Sequence, residues 1–334
     1  MKEIIVREQE ACQRLDKLLG RYLAKAPKNF LYKMLRKKNI TLNGKKALGN
    51  EMVAPGDRIQ IFFSEETYAK FSGSPKDVSL SRAKPFHQSR IIYEDRHILL
   101  ADKPAGLLSQ KSRPEDISAN EQILAYLLQK NELNEQELST FRPSVCNRLD
   151  RNTSGLLIAG KSLAGLQKMA ELLRSRELHK YYLCLVDGEM KEPQRLEGYL
   201  KKEDADNRVS IVKSLPEGQE AELYRPILTE YTPLWSGKGI TLLKVWLITG
   251  RSHQIRAHLA SVGHPIIGDT KYGNARINDE FLKAYGVKHQ LLHAYQMVFP
   301  KMDGQWSYLS GRVFTAPMPK QFAEILGSLG YGGK

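Results

Sequence analysis

The chain has 334 residues, 41% hydrophobic and 26% charged, with a formal net charge of +14. That length and apolar content predict about two globular domains with proper cores and exclude a disordered or fibrous chain. The isoelectric point near 9.5 points to a polyanionic partner, nucleic acid first and an acidic membrane surface second. No window approaches 18 uninterrupted apolar residues, so no membrane span or membrane partner is expected. The start, MKEIIVREQEACQRL, lacks the apolar run of a signal peptide. Three widely spaced cysteines, Cys12, Cys146 and Cys184, make neither a disulfide framework nor a zinc site. Each is expected to be a small buried residue in a reducing cytoplasm.

The first predicted element is a short helix with Leu15, Leu18, Leu19, Tyr22 and Leu23 on its apolar stripe. Phe30, Leu31, Met34 and Leu35 repeat the spacing in a second helix. A strand over ITLNGKK turns at Asn43-Gly44, and GDRIQIFF is a further strand. Between Lys25 and Lys46 stand eight basic residues and no acidic one. Such a run is either a solvated face or a surface for sequence-blind phosphate contact. With Arg14-Leu15-Asp16-Lys17-Leu18-Leu19, Lys37-Lys38, Asn43-Gly44 and Pro55-Gly56-Asp57, residues 12–63 resemble the S4 domain, a small RNA-binding module. Lys33, Arg36, Lys37 and Lys38 are its expected RNA contacts. Residues 64–88, rich in Ser and interrupted by Gly73, Pro75 and Pro85, are predicted to be an irregular linker.

The second domain is expected over residues 89–320. Ile91–Tyr93 and His97–Ala101 read as strands across a turn at Glu94-Asp95. Ser118 with Glu121 predicts a capping box before a helix carrying Ile123, Leu124, Leu127 and Leu128. Ser162 is expected to cap a helix reaching Arg174, and Tyr181–Val186 and Gly239–Thr249 to be strands. Ser252 is the expected cap of a helix containing Ile255, Leu259 and Val262, closed by Gly263. The mixture predicts an α+β fold with a mixed, largely antiparallel sheet, preceded by the small S4-like α/β unit.

Three segments carry candidate chemistry. In Asn147-Arg148-Leu149-Asp150-Arg151-Asn152-Thr153-Ser154-Gly155, one carboxylate stands between two arginines on a loop leading into the apolar run Leu156–Ala159. Flanking cations favour the ionised form of a carboxylate. Asp150 is either a nucleophile or a structural ion-pair residue. In Thr249-Gly250-Arg251-Ser252-His253-Gln254-Ile255-Arg256-Ala257-His258, Arg251 sits at a strand-to-helix junction, from which it can reach a carboxylate across a cleft. The two histidines lie five apart with no Glu between them, which does not fit the HExxH zinc pattern. Lys180 and Tyr182 share one side of a predicted strand. Tyr182 is either a core residue or a group that stacks on a base or handles a proton.

Together these segments resemble the RluA-type RNA pseudouridine synthases over residues 12–63 and 89–318. RLDxxTSGLL, K-x-Y and TGRxHQIRxH occur in order, along with Asp102-Lys103-Pro104-Ala105-Gly106, Gly263-His264-Pro265-Ile266 with Gly268-Asp269, and Leu292-His293-Ala294. The resemblance implies isomerisation of uridine to pseudouridine in RNA, with no cofactor or metal. An S4-like domain ahead of the catalytic one resembles the subgroup acting on large-subunit ribosomal RNA. The resemblance places the nucleophile at Asp150, the stacking tyrosine at Tyr182 and the arginine paired with the nucleophile at Arg251. It places at Arg148 the arginine that fills the space left by a flipped base. Arg256 is expected to contact RNA, and the protein to be a monomer. Two departures stand out. Asn147 replaces a usual histidine, and Leu107-Leu108-Ser109-Gln110 replaces an apolar run ending in histidine-proline. The rival readings are a non-catalytic ribosome-assembly protein and a basic DNA-binding regulator, which would need a recognition helix.

Overall fold

The computed structural model describes residues 1–72, 80, 82–134, 138, 141–203 and 208–332. These divide into two compact units. One comprises residues 1–100, 110–147 and 158–171, the other residues 101–109, 148–157 and 172–334.

In the first unit the order is β1 (Lys2–Ile5), β2 (Gln13–Arg14), α1 (Leu15–Tyr22), α2 (Lys28–Arg36), β3 (Ile40–Leu42), β4 (Lys45–Lys46), β5 (Met52–Val53), β6 (Arg58–Ile61) and α3 (Glu65–Phe71). A four-stranded sheet runs β1-β6-β3-β4, and β2 pairs with β5. The two helical stripes meet it as the spacing predicts: Leu15, Leu18 and Leu19 of α1 and Leu31 and Leu35 of α2 are buried with Ile40, Ile59 and Ile61. Burying each such side chain contributes about 1.5–3 kcal/mol. Asn43 and Gly44 both have positive φ, 50° and 73°, which the tight β3–β4 hairpin requires. The Asn43 side chain accepts from the Arg58 amide at 2.8 Å and donates to Asp57 at 2.9 Å, so the Asn-Gly and Pro-Gly-Asp turns hold one another.

The expected linker begins with a helix instead. The Ser64 hydroxyl accepts the Thr67 amide at the start of α3. The ring of Phe71 lies 4.4 Å from that of Phe30. A Ser cap and an aromatic partner distant in sequence outweigh the polar composition. Residues 73–79 and 81 of that stretch lie outside the described residues.

The first unit continues with β7 (Ile91–Glu94), the first half of β8 (Ile98–Lys103), α4 (Ala119–Gln129), β9 (Ser144–Val145), the end of β10 (Ser154–Gly160), and most of α5 (Leu163–Ser175). Ser162 caps α5, its hydroxyl accepting the Gly165 amide at 3.0 Å. The predicted capping box at α4 takes another form. The Ser118 hydroxyl donates to the Glu121 carboxylate at 2.5 Å rather than accepting a backbone amide.

The second unit holds β11 (His179–Asp187), β12 (Gln194–Lys202), β13 (Val209–Val212), β14 (Arg225–Gly237), β15 (Ile240–Leu247), α6 (Gln254–Ser261), α7 (Ala275–Tyr285), β16 (Leu292–Val298), β17 (Val313–Thr315) and α8 (Lys320–Leu329). Its strands run β13-β12-β14-β15-β11-β16, all antiparallel, with β17 antiparallel to β16. The start of β10 lies parallel to β16, Ser154 opposite His293 and Gly155 opposite Ala294. The fold is thus α+β with a mixed, largely antiparallel sheet. Leu183, Leu185, Leu242, Phe281, Phe322 and Ile325 form the core that α7 and α8 share with β11 and β15. Of the three cysteines only Cys184 is buried; Cys146 is half-buried, and Cys12 is exposed in a left-handed turn with φ 61°. Among the described residues no helix is long and apolar enough to cross a membrane.

Candidate active site

Asp150 lies on the loop that enters β10, and neighbours fasten the backbone on both sides of it. The Ser109 hydroxyl accepts the Leu149 amide and donates to the Leu149 carbonyl, both at 2.9 Å. On the other side, the Arg151 carbonyl accepts from the Gly106 amide at 2.9 Å and from the Lys103 ammonium at 3.0 Å. Lys103 also donates to the Pro104 and Leu107 carbonyls. The Asp-Lys-Pro-Ala-Gly segment therefore works as a clamp on the Asp150 loop. Lys103 is fully buried, and burial pushes its ammonium down to about 7 while the charges of Asp150 and Asp102 act the other way. Within the loop, the Thr153 amide donates to the Asp150 carbonyl at 3.0 Å.

The turn into β10 explains the glycine of the TSGLL run. Gly155 has φ +107°, and a Cβ there would meet the Ala294 carbonyl oxygen at 2.2 Å. No other residue fits that approach. Beside it the Ser154 hydroxyl lies 2.8 Å from His293 Nδ1, tying β10 to β16.

The Asp150 side chain is 28% exposed, and its Oδ2 accepts a 2.9 Å hydrogen bond from Arg256 Nη1. Among the described residues Oδ1 accepts none. Arg256 is 7% exposed and faces a second carboxylate: its Nε donates to Asp269 Oδ2 at 2.6 Å and its Nη2 to Asp269 Oδ1 at 2.8 Å. Burial works against the charged guanidinium, but the bonds and charges of Asp269 and Asp150 raise its pKa overall. Burial likewise acts against the Asp269 carboxylate, and the Arg256 bonds and the Lys271 and Tyr272 amides hold it below its ordinary value. One guanidinium, held by its fork on Asp269, thus presents its remaining edge to Asp150.

This arrangement corrects two expectations. Arg251 does not pair with Asp150; its side chain is exposed, and its backbone amide donates to Gln254 Oε1 at 3.1 Å. Arg256, expected at an RNA surface, is the buried partner instead. The helical register of α6 turns Arg256 inward with Leu259, and Asp269, distant in sequence, completes its coordination. Ser252 does not cap α6 either. The capping position is His253, in a left-handed conformation with φ 54° and ψ 12°. The junction is stitched by Gln254, whose Oε1 accepts from the Thr249 hydroxyl at 2.8 Å and whose Nε2 donates to the Leu228 carbonyl at 3.0 Å.

Tyr182 lies on β11, 5% exposed. Burial and the charge of Asp150 push its hydroxyl well above the usual tyrosine range, so it is a neutral phenol beside the carboxylate. Lys180, on the same side of β11, is pushed down by burial, and Gly250 leaves room for its ammonium. Arg148 is exposed next to the Asp150 loop. The Asn147 side-chain carbonyl accepts the Ile158 amide at 2.8 Å, a tie to the backbone of β10.

His253 and His258 contact Tyr272 and Thr229 respectively. Among the described residues no group of three or more His, Cys, Asp and Glu side chains is placed to hold a metal ion. In the first unit, Lys25, Lys28, Lys33, Arg36, Lys37, Lys38, Lys45 and Lys46 are all exposed. None of these eight forms an ion pair among the described residues.

Residues 97–261 match the family model described as RNA pseudouridylate synthase. A ribosomal large subunit pseudouridine synthase C from Buchnera aphidicola is 30% identical over 336 residues, covering 97% of this chain and 96% of the relative. The protein of the same description from Vibrio cholerae is 29% identical, covering 89% and 88%. Among solved structures, human RNA pseudouridylate synthase domain containing 4 aligns with a TM-score of 0.56 at 20% identity, covering 76% of this chain and 95% of that one, a likeness of fold. The clamped Asp150 loop thus sits in a chain that belongs to the RluA-type RNA pseudouridylate synthase family, enzymes that isomerise uridine to pseudouridine in RNA.

Proposed function

We propose that this enzyme isomerises specific uridines of large-subunit ribosomal RNA, with Asp150 as its nucleophile. The observation that carries the proposal is the asymmetry of that carboxylate: Oδ2 is held by Arg256 and Oδ1 is open in a part-exposed side chain. A preorganised, singly engaged carboxylate is what attack on a substrate requires. The large-subunit assignment rests on the names of the relatives from Vibrio cholerae and Buchnera aphidicola.

The reaction breaks the bond between ribose C1′ and uracil N1 and forms one between C1′ and C5. The C5 proton leaves, N1 gains one, and no electrons are exchanged. The target nucleotide must leave its stack, at a cost of roughly a few kcal/mol, and Arg148, exposed beside Asp150 in the chain, then occupies the gap. Asp150, aimed by its bond from Arg256, then forms a covalent link to the uridine, and that link breaks again before the C1′–C5 product is released. Tyr182, neutral and buried, supports the base by stacking. The exposed basic run of residues 25–46 contacts phosphates without regard to sequence and positions the RNA, as an S4-type domain would.

The test is release of tritium from large-subunit ribosomal RNA transcribed with [5-³H]uridine. The proposal expects release at a small number of sites that become pseudouridine. Absence of release from that RNA, with release from transfer RNA, would overturn the substrate assignment.

A further inference from the structure

His253 stands in a left-handed backbone at the entrance to α6, and its ring is built into the Asp150 surroundings through a chain of contacts. The ring stands edge-on to Tyr272, centroids 5.8 Å apart at 74°. The Tyr272 ring in turn lies 5.3 Å from the guanidinium of Arg256, which holds Asp150.

The Tyr272 hydroxyl oxygen accepts the Val209 amide at 2.8 Å and lies 3.0 Å from His253 Nδ1. We assign the phenolic proton to Nδ1, its nearest acceptor among the described residues, which puts the imidazole proton on Nε2. Burial holds the imidazole below its ordinary pKa; Asp150 and Asp269 favour its protonation, and Arg256 and Lys271 oppose it. His253 is then a neutral ring, half-buried, with an Nε2–H that meets no acceptor among the described residues.

We infer that His253 is a substrate-binding residue, its Nε2–H donating a hydrogen bond to a carbonyl oxygen of the target uracil. This rests on the pseudouridine synthase reading of the site. A neutral donor suits a neutral carbonyl, whereas a phosphate is better met by a cation. Placed at O4, the bond also rejects cytosine, which carries an amino group there.

The test compares His253→Asn and His253→Gln on [5-³H]uridine transcripts of large-subunit ribosomal RNA. Asn tolerates the left-handed backbone and can still meet Tyr272, but its amide falls short of the Nε2 position. Gln carries an N–H to about that position. Both variants are expected to melt as the wild type does. His253→Asn should lose about tenfold in kcat/KM, equivalent to ~1.4 kcal/mol, and His253→Gln should recover most of it. Full activity in His253→Asn, or a loss in His253→Gln as deep as in His253→Asn, overturns the inference. Transcripts made with 2-thiouridine or 4-thiouridine identify the carbonyl: sulfur at the bonded position lowers wild-type turnover and leaves His253→Asn unchanged. Indifference of the wild type to both sulfurs also overturns it. An inactive wild type would instead defeat the proposed function, so the two failures are distinct.

Discussion

Removing the Arg256 guanidinium is the sharpest perturbation of the site. Arg256→Met deletes two bonds to Asp269 and one to Asp150. It leaves Asp269, whose side chain is fully buried, without its countercharge. Breaking a buried pair from one side costs about 3–5 kcal/mol. For a domain of this size each kcal/mol lowers Tm by ~2–4 °C, so a fall of about 6–20 °C is expected. Loss of the bond to Asp150 Oδ2 should lower the single-turnover rate by about 100- to 1,000-fold, the scale for removing one preorganised donor. Arg256→Lys keeps the charge but cannot reproduce the planar fork, so it should regain part of the stability and little activity. Arg256→Met combined with Asp269→Asn removes both buried charges and should melt nearer the wild type while remaining inactive. Thermal unfolding and tritium release read these outcomes. Wild-type melting in Arg256→Met, or turnover by the double variant, would refute the reasoning.

Ser109→Ala removes both bonds that pin Leu149 and should cost about 1–2 kcal/mol, with a lower kcat and an unchanged KM in steady-state kinetics. Substituting Lys33, Arg36, Lys37 and Lys38 by Gln should flatten the salt dependence of RNA binding by up to about 3 in log–log slope, measured by filter binding across salt concentrations. Burial pushes the His258 and His293 imidazoles down to about 4 from an ordinary 6.5. The unfolded chain therefore binds more protons than the folded one in that window, and stability is lost as pH falls from 6.5 towards 4. The expected slope is ~1.4 kcal/mol per pH unit for each histidine. Replacing either by Asn should shallow the slope measured by urea unfolding.

Much of the fold is legible in local pattern. The stripes of α1 and α2, the Asn43-Gly44 hairpin and the Ser162 cap follow from spacing and turn chemistry that act within a few residues. The expected linker lacked α3 because the contact of Phe71 with Phe30 spans 41 positions and leaves no local mark. The site divides the same way. Asp150 stands out as an acid between arginines before an apolar strand and Tyr182 shares a predicted strand with Lys180, but the residues alone leave a structural alternative for each, and the resemblance supplies the proposed roles. The choice between Arg251 and Arg256 turns on Asp269, a partner thirteen residues downstream that only the folded turn brings to the guanidinium. Ser109 carries no local mark of its role, because its two bonds to Leu149 join positions forty residues apart. Asn147 accepts the Ile158 amide, a tie to β10 that the local sequence does not signal. The glutamine of the His-Gln-Ile-Arg run ties the strand end to the helix start, so His253 holds the capping position without a side-chain cap bond.

The central claim is that the open oxygen of Asp150 does the chemistry. Asp150→Asn preserves shape and can still accept from Arg256, but it has no nucleophilic carboxylate. On [5-³H]uridine-labelled large-subunit ribosomal RNA, the account predicts no tritium release from this variant, with RNA affinity and melting close to wild type. Sustained release by Asp150→Asn, at a rate within about tenfold of wild type, would contradict it.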